Sequence, residues 1–149
     1  MGVSMNIYTI GFTKKKAEYF FNALKNSGVK RIVDVRLNNV SQLAGFAKKD
    51  DLKYFLKTIC DIEYIHFPEL APDKEILDTF KKKKGDWETY QDLFNKLIKE
   101  RQVDKKYSGI ILDGDCFMCS EDKPDNCHRR LVLEYLQKCW GEITVRHIL

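Results

Sequence analysis

The residues best suited to catalysis lie in one short segment of the sequence. Residues 116–130 contain three of the five cysteines and one of the three histidines of the 149-residue chain. Cys127 is followed directly by His128 and two arginines, and it precedes an apolar pattern with helical spacing. Positive charge and the first turn of a helix both favour a thiolate over a thiol. The segment therefore predicts a reactive cysteine at the start of a helix.

Two assignments of the nucleophile stay open. Either Cys127, with Asn126 as the predicted helix N-cap, or Cys119 attacks the substrate. His128 and Glu121 are then the reactive or orienting partners. A cysteine-dependent hydrolase or transferase acting on phosphate or sulfur groups suits this pattern, although neither cysteine begins a Cys-x5-Arg phosphate-binding loop.

The same segment permits a metal site instead. Its cysteine and histidine side chains are ligands that zinc or iron accepts, and the four candidates are Cys116, Cys119, Cys127 and His128. The adjacent ligands Cys127 and His128 are awkward for one tetrahedral ion, and the sequence has no second CxxC pair. A structural zinc or iron site therefore stays an alternative.

Alternating strand and helix patterns surround these residues. Runs of β-forming residues predict strands at 6–10, 30–36, 62–67, 108–117 and 143–148, with helical spacing between them and Asp86 as an N-cap. The order β-α-β-α-β-α-α-β-α-β is typical of an α/β fold. We expect a single-domain, three-layer Rossmann-like sandwich over residues 1–149, with a mostly parallel sheet of about five strands and a flexible N-terminus at residues 1–5.

Such a sheet places the candidate ligand-binding residues together. Right-handed crossovers bring every strand-to-helix loop to the carboxyl edge, where open α/β sheets bind ligands. An arginine at this edge can hold a phosphate or carboxylate with two hydrogen bonds. Helical rotation of about 100° per residue lets one of two adjacent arginines face the edge. The candidates are Gly11, Thr13, Arg36, His66, Arg129 and Arg130.

Composition limits the function classes. Twenty-six Lys and Arg residues against twenty-two Asp and Glu give a net charge of +4, which permits anionic partners without requiring them. No stretch approaches the roughly 18 apolar residues of a membrane span, and no signal-peptide pattern opens the chain. We expect a cytoplasmic protein with no membrane partner, whose cysteines are free thiols, metal ligands or catalytic groups.

Several motifs together resemble the domain-of-unknown-function 488 family. They are Tyr8-Thr9-Ile10-Gly11, Asp34-Val35-Arg36, His66-Phe67-Pro68-Glu69-Leu70, Cys119-Ser120-Glu121 with Pro124, and Cys127-His128-Arg129-Arg130-Leu131. The resemblance extends from about Ile7 to Ile148. It implies a small α/β domain with a shared site and names no reaction. The sequence departs from the common pattern at Phe12, where many relatives carry histidine, and its loop at 37–48 is less basic and less rich in proline than theirs.

These observations leave three hypotheses. The first is an enzyme-like domain whose carboxyl edge binds an anionic small molecule or nucleotide next to a Cys/His/Arg site. The second is a non-catalytic module that binds zinc or iron. The third is a nucleic-acid accessory protein that uses the lysines at 81–84, Arg36 and the Arg129–Arg130 pair.

Overall fold

A five-stranded parallel sheet forms the centre of the computed structural model, which describes residues 4–39, 45–81, 86–121, 123–125 and 127–149. The strand order is β3-β2-β4-β1-β5, and each pair of neighbouring strands is parallel. The strands are β1 (Met5–Gly11), β2 (Arg31–Asp34), β3 (Glu63–His66), β4 (Asp115–Cys119) and β5 (Ile143–Ile148). Residues 1–3, part of the segment expected to be flexible, lie outside the described residues.

Among the residues that the structure describes, six α-helices connect and cover these strands. They are α1 (Ala17–Lys25), α2 (Lys49–Phe55), α3 (Lys74–Lys81), α4 (Trp87–Glu100), α5 (Val103–Lys106) and α6 (His128–Trp140). A π-helical turn at Leu56–Cys60 continues α2, and 3₁₀ turns lie at Gly45–Ala47 and Pro68–Leu70. The predicted N-cap Asp86 is confirmed, because its carboxylate accepts a 2.7 Å hydrogen bond from the backbone N–H of Thr89. Residues 82–85 lie outside the described residues, so the environment of the lysine run stays a prediction.

The sheet separates two hydrophobic clusters. Successive side chains of a strand point to opposite faces, and β4 shows this alternation: Phe117 and Cys119 pack in one cluster, Cys116 and Met118 in the other. The first cluster includes residues of α3, α4, α5 and α6, and the second includes residues of α1 and α2. Helices on both faces of a parallel sheet confirm the predicted α/β, three-layer, Rossmann-like class.

The fourth strand differs from its predicted range. The sequence indicated residues 108–117, whereas β4 spans Asp115–Cys119. Ile110 and Leu112 are 45% and 50% exposed, and they lie between Gly109 and Gly114, which both have positive φ. Glycine accepts this backbone conformation without a Cβ clash. The apolar run therefore forms turns, and the strand begins only after Gly114.

No helix within the described ranges has the length and apolar character that crossing a membrane requires.

We predict that Phe94→Ala destabilises the fold far more than Leu93→Ala. Phe94 is fully buried beneath α6, whereas the adjacent Leu93 is 40% exposed. Emptying the Phe94 position should cost about 3–5 kcal/mol of unfolding free energy, and Leu93→Ala about 1 kcal/mol or less. Urea denaturation measures both. Equal losses would contradict the orientation of α4.

Candidate functional site

Three neighbouring strands end at the centre of the carboxyl edge. Cys119, the last residue of β4, pairs with Gly11 at the end of β1, and Met118 pairs with Asp34 at the end of β2. The chain then returns to this edge at Cys127, the N-cap residue of α6. The carboxyl edge thus brings together residues that are distant in the sequence, as the alternation of strands and helices indicated.

A buried arginine occupies the middle of this edge. Arg129 in the first turn of α6 has a solvent-exposed fraction of 0%. Its Nη1 donates to the backbone carbonyl of Glu121 at 2.6 Å, to Sγ of Cys119 at 3.0 Å and to Sγ of Cys127 at 3.5 Å. One guanidinium nitrogen therefore contacts both sulfur atoms and the backbone between them.

Cys119 and Cys127 form a disulfide, with Cα atoms 7.8 Å apart. The cysteines were expected to be free thiols, metal ligands or catalytic groups; this pair departs from the expectation of free thiols, whereas Cys60, Cys116 and Cys139 are free. The predicted N-cap Asn126 lies outside the described residues, and Cys127 itself takes the N-cap position without a side-chain cap hydrogen bond.

His128 lies beside the sulfur pair. Its Nε2 bonds the backbone carbonyl of Val35 at 2.6 Å. Because a carbonyl can only accept, Nε2 carries the hydrogen and the lone pair of the neutral ring is on Nδ1. One ligand atom each of Cys119, Cys127 and His128 lies within 4.8 Å of the others, which is close enough to share an ion in the reduced protein.

Cys116 does not join that group. It belongs to the core cluster on the opposite face of β4, because residues three apart in a strand point to opposite faces. Burial raises the pKa of its thiol, although the positive charge of Arg129 lowers it in part. The four-ligand metal set is therefore reduced to three residues on geometric grounds.

Arg36 forms a second buried cationic centre. It is 3% exposed, and its Nε and Nη2 donate to the two carboxylate oxygens of Asp34 at 2.9 and 2.7 Å. Its guanidinium carbon lies 5.2 Å from the ring centroid of Phe12. Within the described part of the chain, its buried Nη1 has no hydrogen-bond partner. Buried donors in native proteins are nearly always satisfied, so this nitrogen has capacity for a ligand.

Two residues that position the Asp34 carboxylate beside Arg36 were not predicted from the sequence. Tyr64 donates its hydroxyl to Asp34 at 2.5 Å, and Asn39 donates to the Tyr64 hydroxyl at 3.0 Å. Burial and the adjacent Asp34 carboxylate raise the pKa of Tyr64, which keeps its hydroxyl protonated. The signal available in the sequence was the position of Tyr64 on β3, the strand that pairs with β2.

His66 acts on the backbone of the same segment. Its Nε2 bonds the carbonyl oxygen of Arg36 at 2.6 Å. The carbonyls of Val35 and Arg36 are thus held by His128 and His66, respectively. His66 therefore fixes the backbone of Arg36, which lies two residues after the end of β2.

A comparison with models of protein families identifies the family of this chain. The family model described as "Domain of unknown function DUF488" matches residues 16–136, well over half of the sequence. The chain belongs to the DUF488 family. No curated protein and no solved structure matches the chain.

Two further predicted site residues of this DUF488 chain, Glu121 and Thr13, contribute through their backbones. The Glu121 carbonyl bonds Arg129, while the Glu121 side chain is exposed. The backbone N–H of Thr13 donates to the carbonyl of Ser120 at 3.0 Å, and the Thr13 side chain is also exposed. These contacts fix the chain between β4 and α6 against the end of β1.

Arg130 points away from the sulfur pair, as helical rotation predicts for one of two adjacent arginines. Its Nε lies 3.6 Å from a Glu134 carboxylate oxygen, and the side chain lines a cavity of about 240 Å³ that also contains His147. Burial, followed by the charges of Arg129 and Arg130, lowers the pKa of His147. Arg129 therefore faces the two sulfur atoms, whereas Arg130 faces this cavity.

Gly11 leaves room for the backbone of the DUF488 site. A Cβ built on Gly11 would lie 1.5 Å from the carbonyl oxygen of Glu121 and 3.0 Å from Nη1 of Arg129. Real Cβ atoms never approach a backbone oxygen so closely, so any side chain here displaces the Glu121 carbonyl. Gly11 is therefore a requirement for close packing at this edge.

We predict that Gly11→Ala destabilises the protein, whereas Gly45→Ala does not. A Cβ on Gly45 has no atom within 4 Å, which makes this variant the matched control. The backbone shift forced by Gly11→Ala should cost about 1–3 kcal/mol or more of unfolding free energy. Urea denaturation compares the two variants, and similar values would argue against the tight contact with Glu121.

Proposed function

We propose that this DUF488 domain is a cysteine-dependent enzyme, a hydrolase or transferase that binds an anionic small molecule or nucleotide at the carboxyl edge. Cys127 is the proposed nucleophile and Cys119 its partner. The observation that carries the proposal is the contact of the fully buried Arg129 guanidinium with both sulfur atoms.

Arg129 would activate the reduced thiols electrostatically. Burial by itself favours the neutral thiol: it raises the pKa of Cys116, which has no hydrogen bond to Arg129, and the charge of that arginine compensates this rise only in part. A guanidinium hydrogen bond stabilises the thiolate instead. Cys127 also lies at the N-terminus of α6, whose partial positive charge adds to this effect. Arg129 contacts both sulfurs and lies nearer to Cys119, so the position at the start of α6 is what favours Cys127 as the attacking group.

His128 and Arg36 complete the proposed site. With Nε2 bonded to the Val35 carbonyl, His128 would exchange protons with thiol or substrate through Nδ1. Arg36 would hold the anionic group through Nη1, the donor that no described residue satisfies, while Asp34 fixes the rest of its guanidinium. Gly11 and Thr13 shape the edge, and His66 positions Arg36.

The reaction class follows from these groups. The Cys127 thiolate would form a bond to an electrophilic phosphorus or sulfur atom of the substrate, and the leaving group would depart with a proton. At phosphorus, water in a hydrolase or a second acceptor in a transferase would then break the bond to Cys127 and restore the thiol. At sulfur, a second nucleophilic acceptor would take the sulfur from Cys127, and its S–S bond to Cys127 would break to give back the thiol.

The first test measures thiolate formation in the reduced protein by its absorbance near 240 nm. We expect a titration below about 8.5, the ordinary pKa of cysteine, that disappears in Cys127→Ser. Arg129→Gln should move it upward by about one pH unit or more, a tenfold loss of thiolate. Arg129→Lys, which keeps the charge, provides a second variant, and Cys139→Ser at the exposed cysteine is the control. A wild-type titration above 8.5 would reject thiolate activation.

The second test measures anion binding with inorganic phosphate and adenosine monophosphate as probes. We expect saturable binding by calorimetry that falls at least about tenfold in Arg36→Met, because a charged hydrogen bond contributes about 1.5–3 kcal/mol. Arg146→Met removes an exposed arginine of β5 and should bind normally. Equal binding by both variants, or none by the wild type to either probe, would oppose the assignment of Arg36.

A metal site is the second candidate, supported by the 4.8 Å grouping of Cys119, Cys127 and His128. Three protein ligands with one open position are typical of catalytic zinc. The positive charge of Arg129 already lies against both sulfurs, which opposes a divalent cation there. Elemental analysis of reduced protein decides: about one zinc or iron per chain would favour the metal.

No contact among the described residues favours the nucleic-acid alternative, whose lysine run at 81–84 lies mostly outside them.

A further inference from the structure

One pair of cysteines differs from the other three. Cys119 and Cys127 are joined by a disulfide, whereas Cys60, Cys116 and Cys139 are free. The paired sulfurs belong to residues that are only 1% and 2% exposed, and both contact the guanidinium of Arg129. The disulfide therefore lies at the carboxyl edge within the set of candidate catalytic residues, in contact with a buried cation.

We propose that Cys119 and Cys127 are a reversible redox couple that hydroperoxides oxidise and small thiols reduce. Cys127 is the peroxide-reactive residue and Cys119 is the resolving residue. Oxidation and reduction of these two cysteines need no substrate bound at the carboxyl edge. Its effect on catalysis rests on the proposed function, because the disulfide consumes both candidate nucleophiles.

The oxidation balances in two steps. The Cys127 thiolate attacks one oxygen of hydrogen peroxide, so that an S–O bond forms, the O–O bond breaks and hydroxide leaves to become water. The Cys119 sulfur then attacks the resulting sulfenic acid; an S–S bond forms, the S–O bond breaks and a second water leaves. Two thiols lose two electrons in total, and one peroxide is reduced to two waters.

The surroundings select both the oxidant and the order of steps. Cys119 and Cys127 are only 1% and 2% exposed, which favours a small-molecule oxidant over the disulfide of a folded protein. Peroxide reacts with thiolate rather than thiol. Arg129 contacts both sulfurs, and only Cys127 lies also at the start of α6, which assigns the first step to Cys127. Cys119 is the sulfur paired with Cys127, so it is the group placed to capture the sulfenic acid before a second peroxide oxidises it further.

Thiol counting by mass spectrometry tests the couple in the full chain. Fully reduced protein is treated with hydrogen peroxide and then labelled with N-ethylmaleimide in denaturant. We expect five labels before peroxide, three after it and five again after dithiothreitol, with peptide mapping that places the link between Cys119 and Cys127.

Serine variants assign the two roles. In Cys119→Ser, Cys127 should be oxidised beyond the sulfenic acid, and dithiothreitol should not restore its label. In Cys127→Ser, oxidation of Cys119 should be at least about tenfold slower, as for a thiol whose pKa is one unit or more higher. Cys139→Ser, at an exposed position, should behave as the wild type with one label fewer.

Three results would overturn the proposal: five labels remaining after peroxide, a link that involves Cys60 or Cys139, or a link that dithiothreitol does not reduce. Identical behaviour of Cys119→Ser and Cys127→Ser would overturn the assignment of roles. Phosphate binding by the reduced wild type is measured separately, so failure of the redox couple is distinguishable from failure of the anion site.

Discussion

The buried guanidinium of Arg129 is the constraint on which the carboxyl edge depends. Removing an arginine from water costs several kcal/mol unless its hydrogen bonds are replaced. Here the replacements include the Glu121 carbonyl and the sulfurs of Cys119 and Cys127. The end of β4, the loop that follows it and the first turn of α6 must therefore meet at one point. Gly11 makes this possible, because any larger residue would occupy the position of the Glu121 carbonyl.

The charge of a second buried arginine at the same edge is compensated in a different way. Arg36 is held by the carboxylate of Asp34, which is in turn bonded by Tyr64. This pair neutralises its own charge, yet it leaves Nη1 without a partner among the described residues. Arg129, on α6, thus contacts sulfur, whereas Arg36, just beyond β2, keeps one donor without a described partner. In the proposed function the first arginine activates the thiols and the second binds the anion.

Much of this arrangement could be predicted from the sequence. Hydrophobic periodicity and the right-handed crossover rule are local and general, so they indicated the parallel sheet and the convergence of Gly11, Arg36 and the cysteine segment on one edge. The predicted start of β4 was wrong because Ile110 and Leu112 are residue types common in strands. The positive φ of the flanking glycines, which ends the strand pattern, depends on the folded chain.

Contacts between strands were harder to predict, because they depend on register. The link from Tyr64 to Asp34 joins β3 to β2, and a single sequence carries no direct record of that pairing. The CxxC spacing suggested that Cys116 and Cys119 act together, but the alternation of side chains along β4 separates them. The disulfide of Cys119 and Cys127 likewise follows from where α6 returns to the sheet.

The two histidine contacts after β2 have a consequence for how the carboxyl edge moves. His128 and His66 donate from Nε2 to the carbonyls of consecutive residues, Val35 and Arg36. His128 belongs to α6 and His66 to β3, so a helix and a strand from distant parts of the chain hold the same two residues. Because α6 also carries Arg129, a displacement of this helix would move the backbone of Arg36 and the guanidinium of Arg129 together.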